Sequence, residues 1–268
     1  MELFFSYGFF QRALVAGLFV AIACAILGLF LILRRDAMMG HGLAHVTFGG
    51  VALGLFLNIL PLAAALVVAV IASLAIMRLR EKAGLHGDMA IGIFSSVGMA
   101  LGIVLATLAG RFNADLLSYL FGDILAIDEL EVGLSIALAA IVICAIMVNY
   151  RKLMYLTFDP EAAKASGVRT APLDVLLAIL TSVTVVMGMK VVGILLVAAL
   201  LVIPAGAGLL LAANFKQALL FSSLVASLSL LLGLPAAFYL DLPASAAVVI
   251  TSFLLFGVSY GLRRKKFS

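Results

Sequence analysis

The chain has 268 residues, 66% hydrophobic and 11% charged, with 17 Lys and Arg against 13 Asp and Glu and a formal net charge of +4. No water-soluble domain of this length hides so much apolar surface, and no stretch is long and polar enough for a nucleotide-binding or receptor domain. The composition therefore excludes a soluble enzyme and predicts one all-α, polytopic membrane domain over residues 1–268, with no nucleic-acid partner and with membrane lipid as its solvent.

In chain order, the first apolar run (13–33) is too long for the core of a secretory signal and ends in Arg34-Arg35 rather than in small residues, so it is expected to stay as a span. Cys24 lies within it and Cys144 within a later run, which argues against a disulfide framework or a thiolate metal centre. Eight further runs follow, at 37–59, 61–77, 89–109, 132–149, 172–188, 191–212, 217–239 and 244–262, each approaching the ~20 residues a spanning helix needs.

The second run holds the most unusual residues. His41 and His45 are four apart, which puts both imidazoles on one helical face. Polar side chains at membrane depth are expensive. Two readings fit them: helix glue, each ring bonding a neighbouring carbonyl, or a metal or proton site, towards which a facing pair points. Glycines crowd the same run at Gly40, Gly42, Gly49, Gly50 and Gly54, where small residues let membrane helices approach closely. His86, in the polar turn 84–88, is expected to be a solvated loop residue.

Residues 116–131 are predicted to form a short outer or re-entrant helix; were that segment to cross, the helix count and the orientation of the first half would change. Assigning the loops alternately places Arg34, Arg35, Arg78, Arg80, Lys82, Arg151, Lys152, Lys164, Arg169, Lys216, Arg263, Arg264, Lys265 and Lys266 on one side and only Arg12, Arg111 and Lys190 on the other. The richer side is cytoplasmic by the positive-inside rule, which sets the N-terminus outside and the C-terminus inside. The outer loops carry Asp115, Asp123, Asp128, Glu129, Glu131 and Asp241, either ordinary solvated charge or an acidic mouth that concentrates cations.

The longest cytoplasmic connection, 151–171, contains a very short helix with its own start and stop. Asp159 suits the N-cap, Pro160 the first helical position, Glu161 the first turn and Gly167 the terminus. Too short to be stable alone, it needs a surface to dock on unless it is merely a capped surface turn. Further on, Pro204 falls mid-span and is expected to kink that helix.

Glu161, Ala162 and Ala163 followed by Gly167 resemble the coupling motif of ABC-importer permeases. Three further stretches resemble the zinc/manganese branch of those permeases: Leu33-Arg34-Arg35 running through Gly40 and His45 to Gly54, residues 117–125 (LSYLFGDIL), and residues 192–205 (VGILLVAALLVIPA). Residues 238–243 (FYLDLP) are a fourth, weaker match. Together they run along most of the chain in order.

The resemblance implies a permease homodimer in the bacterial inner or plasma membrane. Each subunit would dock a cytoplasmic ABC ATPase through the helix at Asp159–Gly167 and receive metal from an extracytoplasmic binding protein. The permease would be no enzyme and would hold no permanent cofactor, only transported zinc or manganese. His45 matches the family's histidine and Asp241 its later carboxylate, while His41 stands where aspartate is common and Gly49 where proline is frequent. Two imidazoles and a carboxylate make a nitrogen-rich set that suits zinc, whereas more carboxylate would suit manganese. The rivals are manganese or iron as cargo, a proton-coupled secondary metal carrier with His41, His45 and Asp241 titrating, and a larger-chelate importer. A self-sufficient carrier has no need of the capped helix, and the inverted repeats common in such carriers are not evident.

Overall fold

The computed structural model describes residues 8–83, 87–109, 122 and 129–267. All secondary structure among these is helical: α1 Gly8–Leu33, α2 Met38–Phe56, α3 Pro61–Ala83, α4 Gly87–Leu108, α5 Glu129–Val148, α6 Tyr150–Phe158, α7 Pro160–Ala165, α8 Thr170–Val192, α9 Ile194–Leu211, α10 Phe215–Leu240 and α11 Ala244–Phe267. Nine of them, all but α6 and α7, are long and apolar enough to cross a membrane. The protein is thus the polytopic all-α membrane protein that its apolar runs predict. The segment 116–131 lies outside the described residues except for Gly122 and the head of α5, and so does His86.

The bundle is built around α1, which packs against α5, α8, α9 and α10 and buries Leu27 and Phe30 completely. Beside it, α2 is clasped by α3 and α4. Glycine makes that clasp possible. A Cβ at Gly49 would stand 2.5 Å from the Gly98 carbonyl oxygen, and one at Gly98 would stand 2.7 Å from the Val46 Cα. The α2 and α4 backbones are therefore nearly in contact, at a distance that only glycine permits.

Helices α8 and α9 are separated by Gly193 alone, at φ 85 and ψ 158, a region of backbone space that is essentially glycine's. Gly122, at φ 74, abuts this break: a Cβ there would lie 2.5 Å from the Gly193 amide nitrogen. Gly122, from one of the stretches that carry the family resemblance, thus meets Val192 and Gly193 of another. Pro204 sits inside α9, which continues past it as one helix.

Candidate functional site

His41 and His45 lie one turn apart near the N-terminal end of α2, as their spacing requires. Their rings are nearly perpendicular, at 86°, and their Nε2 atoms are 3.3 Å apart. That contact is a hydrogen bond only when one ring presents Nε2–H and the other a lone pair. With both lone pairs free, it is also the spacing of a chelate. Two Zn–N bonds of about 2.05 Å at the tetrahedral angle set their nitrogens about 3.3 Å apart. His45 is half-buried, and its Nδ1 is enclosed without a hydrogen-bond partner among the described residues; His41 is exposed. Among the described residues neither ring bonds a carbonyl; each turns to the other.

The imidazoles face a groove of about 310 Å³ whose far wall is α9: Ile194, Leu195, Ala198, Ala199 and Val202. Alanines opposite the rings leave room for an ion. The groove is partly open, and at membrane depth an exposed imidazole such as His41 calls for cover by another protein surface.

Asp241 does not join the pair. It forms the left-handed C-cap of α10 at φ 52, exposed at the outer end of that helix. Helix α10 packs on α1, α9 and α11, and the pair sits on the N-terminal half of α2. Among the described residues no group of three His, Cys, Asp or Glu side chains is close enough to hold a metal. The three-residue ligand set expected from the resemblance is therefore not assembled within one copy of the chain. Of the outer carboxylates, Glu131 pairs with Lys190 at 3.0 Å, which accounts for a lysine on the basic-poor side. Asp115, Asp123 and Asp128 lie outside the described residues.

The short helix α7 has the anticipated caps. Asp159 accepts a hydrogen bond from the Ala162 amide at 2.9 Å, and Pro160 opens the helix. At the other end Gly167 takes φ 80. The Val168 amide donates to the Ala163 carbonyl and the Gly167 amide to the Lys164 carbonyl, both at 3.0 Å, which is the Schellman pattern. Ala163 is fully buried while Glu161 and Lys164 are exposed, so the helix is anchored by one face and presents the other.

Sequence reasoning missed α6, whose amphipathic turns precede α7. Its Tyr155 hydroxyl meets the Ser166 hydroxyl at 2.9 Å, and Tyr150 and Phe158 flank Phe215 at the head of α10, each with ring centroids 5.8 Å from it. It also missed a charge cluster beneath the helix ends. Arg34 pairs with Asp174 and, at 4.0 Å, with Asp36, and Asp36 pairs in turn with Arg80. Counted only as positive-inside charges, Arg34 and Arg80 gave no sign of partners; the acids beside them at helix ends were the available signal.

Among the described residues, nine apolar helices, an imidazole pair on a groove and a short self-capped helix define a multi-pass membrane protein. The model of the ABC 3 transport family matches residues 6–262, and the chain belongs to that family. It is 33% identical to the manganese import system permease protein ScaB of Streptococcus gordonii over 97% of this chain and 94% of that protein. It is 32% identical to the high-affinity zinc uptake system membrane protein ZnuB of Haemophilus influenzae over 94% of this chain and 97% of that one. The structure of PsaBC from Streptococcus pneumoniae in complex with Fab superposes with a TM-score of 0.86 at 31% identity, covering 95% of this chain and 91% of that one.

Proposed function

We propose that this chain is the metal-conducting permease of an ATP-driven divalent-metal importer, with zinc as its cargo. The observation that carries the reading is the His41–His45 pair, whose 3.3 Å nitrogen spacing matches a tetrahedral zinc chelate. The family membership and relatives named for zinc and manganese support metal as the substrate. Manganese is the second reading, favoured by the manganese-named relatives; the absence of a carboxylate beside the pair among the described residues weighs towards zinc.

In this account two copies of the chain form the permease in the bacterial plasma membrane. Each copy covers the groove that the other leaves open. An extracytoplasmic binding protein delivers metal at the outer face, where Asp241 stands, and a cytoplasmic ATPase grips α7 through Glu161, Ala162 and Ala163. ATP binding moves α7 and shifts the bundle between outward- and inward-facing states that differ in their affinity for the ion at His45 and His41. No bond chemistry falls to the permease. A half-open two-imidazole site also suits transport, because a closed four-ligand shell would hold the ion too tightly to release it.

The test is zinc uptake by proteoliposomes holding the permease and its ATPase. Glu161→Arg should abolish ATP-dependent uptake and His45→Ala should reduce it at least tenfold. Undiminished uptake in Glu161→Arg would remove the ATPase-docking role, and undiminished uptake in His45→Ala the metal-site role.

A further inference from the structure

The four charged side chains beneath the bundle form one chain of ion pairs, Arg80–Asp36–Arg34–Asp174. Its members come from four places: Arg80 from the last turn of α3, Asp36 from the link into α2, Arg34 from the end of α1, and Asp174 from the start of α8. Two cations and two anions balance. All four side chains are largely shielded, with exposures between 14% and 27%. They line a cavity of about 160 Å³ together with Met39, Met77 and Thr181.

The local backbone is shaped to place them. Helix α1 ends in a Schellman pattern in which the Asp36 amide donates to the Leu31 carbonyl at 2.7 Å and the Arg35 amide to the Ile32 carbonyl at 3.0 Å. The left-handed position of that motif normally belongs to glycine, yet here Arg35 fills it at φ 61. The strained cap turns the chain sharply between Arg34 and Asp36, and the Asp36 carbonyl then accepts from the Met39 amide at the head of α2. One end of the ion-pair chain is thus rooted at the start of the helix that carries His41 and His45. The other end, Asp174, lies in the opening turns of α8, which begins three residues beyond Gly167 of the α7 terminus. Helix α7 itself packs against α6 and the base of α8.

We infer that Arg34, Asp36, Arg80 and Asp174 are positioning residues that transmit displacement of α7 to the imidazole-bearing α2. The inference rests on the importer reading above. A push on α7 reaches α8 through the short Val168–Arg169 link, whose Val168 is partly buried, so Asp174 moves with it. Arg34, tied to Asp174 and Asp36 at once, passes that movement to the head of α2, and Arg80 holds the far side of Asp36 against α3. Shielded pairs are suited to transmission because a partner left behind keeps an uncompensated charge, so the ends move together. Among the described residues no hydrogen bond or ion pair joins the cluster to His41 or His45.

The test uses the complete permease–ATPase complex in proteoliposomes and reads ATP hydrolysed per zinc ion taken up, beside the melting temperature of the complex. For Asp174→Asn, hydrolysis within twofold of wild type and uptake at least tenfold lower would support transmission, since a ratio that rises is an uncoupled machine. Asp174→Glu, which restores the pair, should return most of the uptake. If hydrolysis and uptake fall together in step with the amount of folded complex, the cluster is a static staple and the inference is overturned; unchanged uptake overturns it equally. Should Asp174→Asn not assemble, Arg80→Gln removes the charge at the other end of the chain and is read by the same ratio, a wild-type ratio again counting against the inference. Glu161→Arg, run alongside, separates the two failures: normal uptake there defeats ATPase docking, whereas a normal ratio in the cluster variants defeats only transmission.

Discussion

Asp159→Ala isolates the contribution of the α7 cap. In the structure this exposed carboxylate makes one hydrogen bond, to the Ala162 amide at 2.9 Å, at the head of a helix six residues long. Loss of an N-cap costs about 1 kcal/mol. A helix this short has no stability in reserve, so the cost falls on the equilibrium between the ordered and frayed forms of α7. About 1 kcal/mol is a factor of roughly five in that equilibrium. An ATPase that binds only the ordered form sees its apparent affinity fall by at most that factor, because affinity scales with the competent fraction. Ala163 remains buried in the bundle, so the rest of the fold is expected to stay intact. Titrating the ATPase onto detergent-solubilised permease should therefore give a dissociation constant up to about fivefold weaker for Asp159→Ala. Asp159→Asn, an equally good cap, should bind nearly as wild type. If asparagine is as damaging as alanine, the carboxylate contacts the ATPase directly; if alanine binds as tightly as wild type, the cap does not order the docking helix. Either outcome refutes the reasoning.

Three further outcomes are expected. His41→Asp should shift competition uptake from zinc towards manganese severalfold by replacing one imidazole with a harder oxygen ligand, and an unchanged preference would show that His41 does not set selectivity. Gly98→Ala puts a methyl group 2.7 Å from the Val46 Cα, so the α2–α4 contact must open at a cost of about 1–3 kcal/mol, visible as a lower melting temperature in detergent. Arg35→Gly relieves a left-handed non-glycine cap and should stabilise the protein by about 1 kcal/mol in the same assay; a loss of stability would mean that the arginine side chain matters more than its backbone.

The bundle could be read closely from sequence because the bilayer imposes one dominant rule: twenty apolar residues make a helix. The ends were less legible. The apolar run 13–33 understates α1, which begins at Gly8 and takes in Gln11 and Arg12, and the run 61–77 stops short of Arg80 and the end of α3 at Ala83. Hydropathy marks where lipid lies, whereas backbone hydrogen bonding carries a helix past that boundary. Helix α6 was invisible for the same reason, being amphipathic and outside the apolar runs. His41 and His45 were found because i, i+4 spacing is local geometry. Asp241 came from the resemblance alone, and its separation from the pair within one copy follows from the packing of α10 on α1, α9 and α11, a tertiary fact that no spacing encodes. The Arg34–Asp174 pair likewise joins residues 140 positions apart.

X-ray absorption of the zinc-loaded permease reports whether metal passes through the His41–His45 pair. Nitrogen ligands are expected at about 2.0–2.1 Å. Imidazole scattering should drop in His45→Ala and vanish in the His41→Ala/His45→Ala double variant, together with zinc uptake. A nitrogen shell and an uptake rate that both survive the double substitution would contradict this route and place the metal path elsewhere in the bundle.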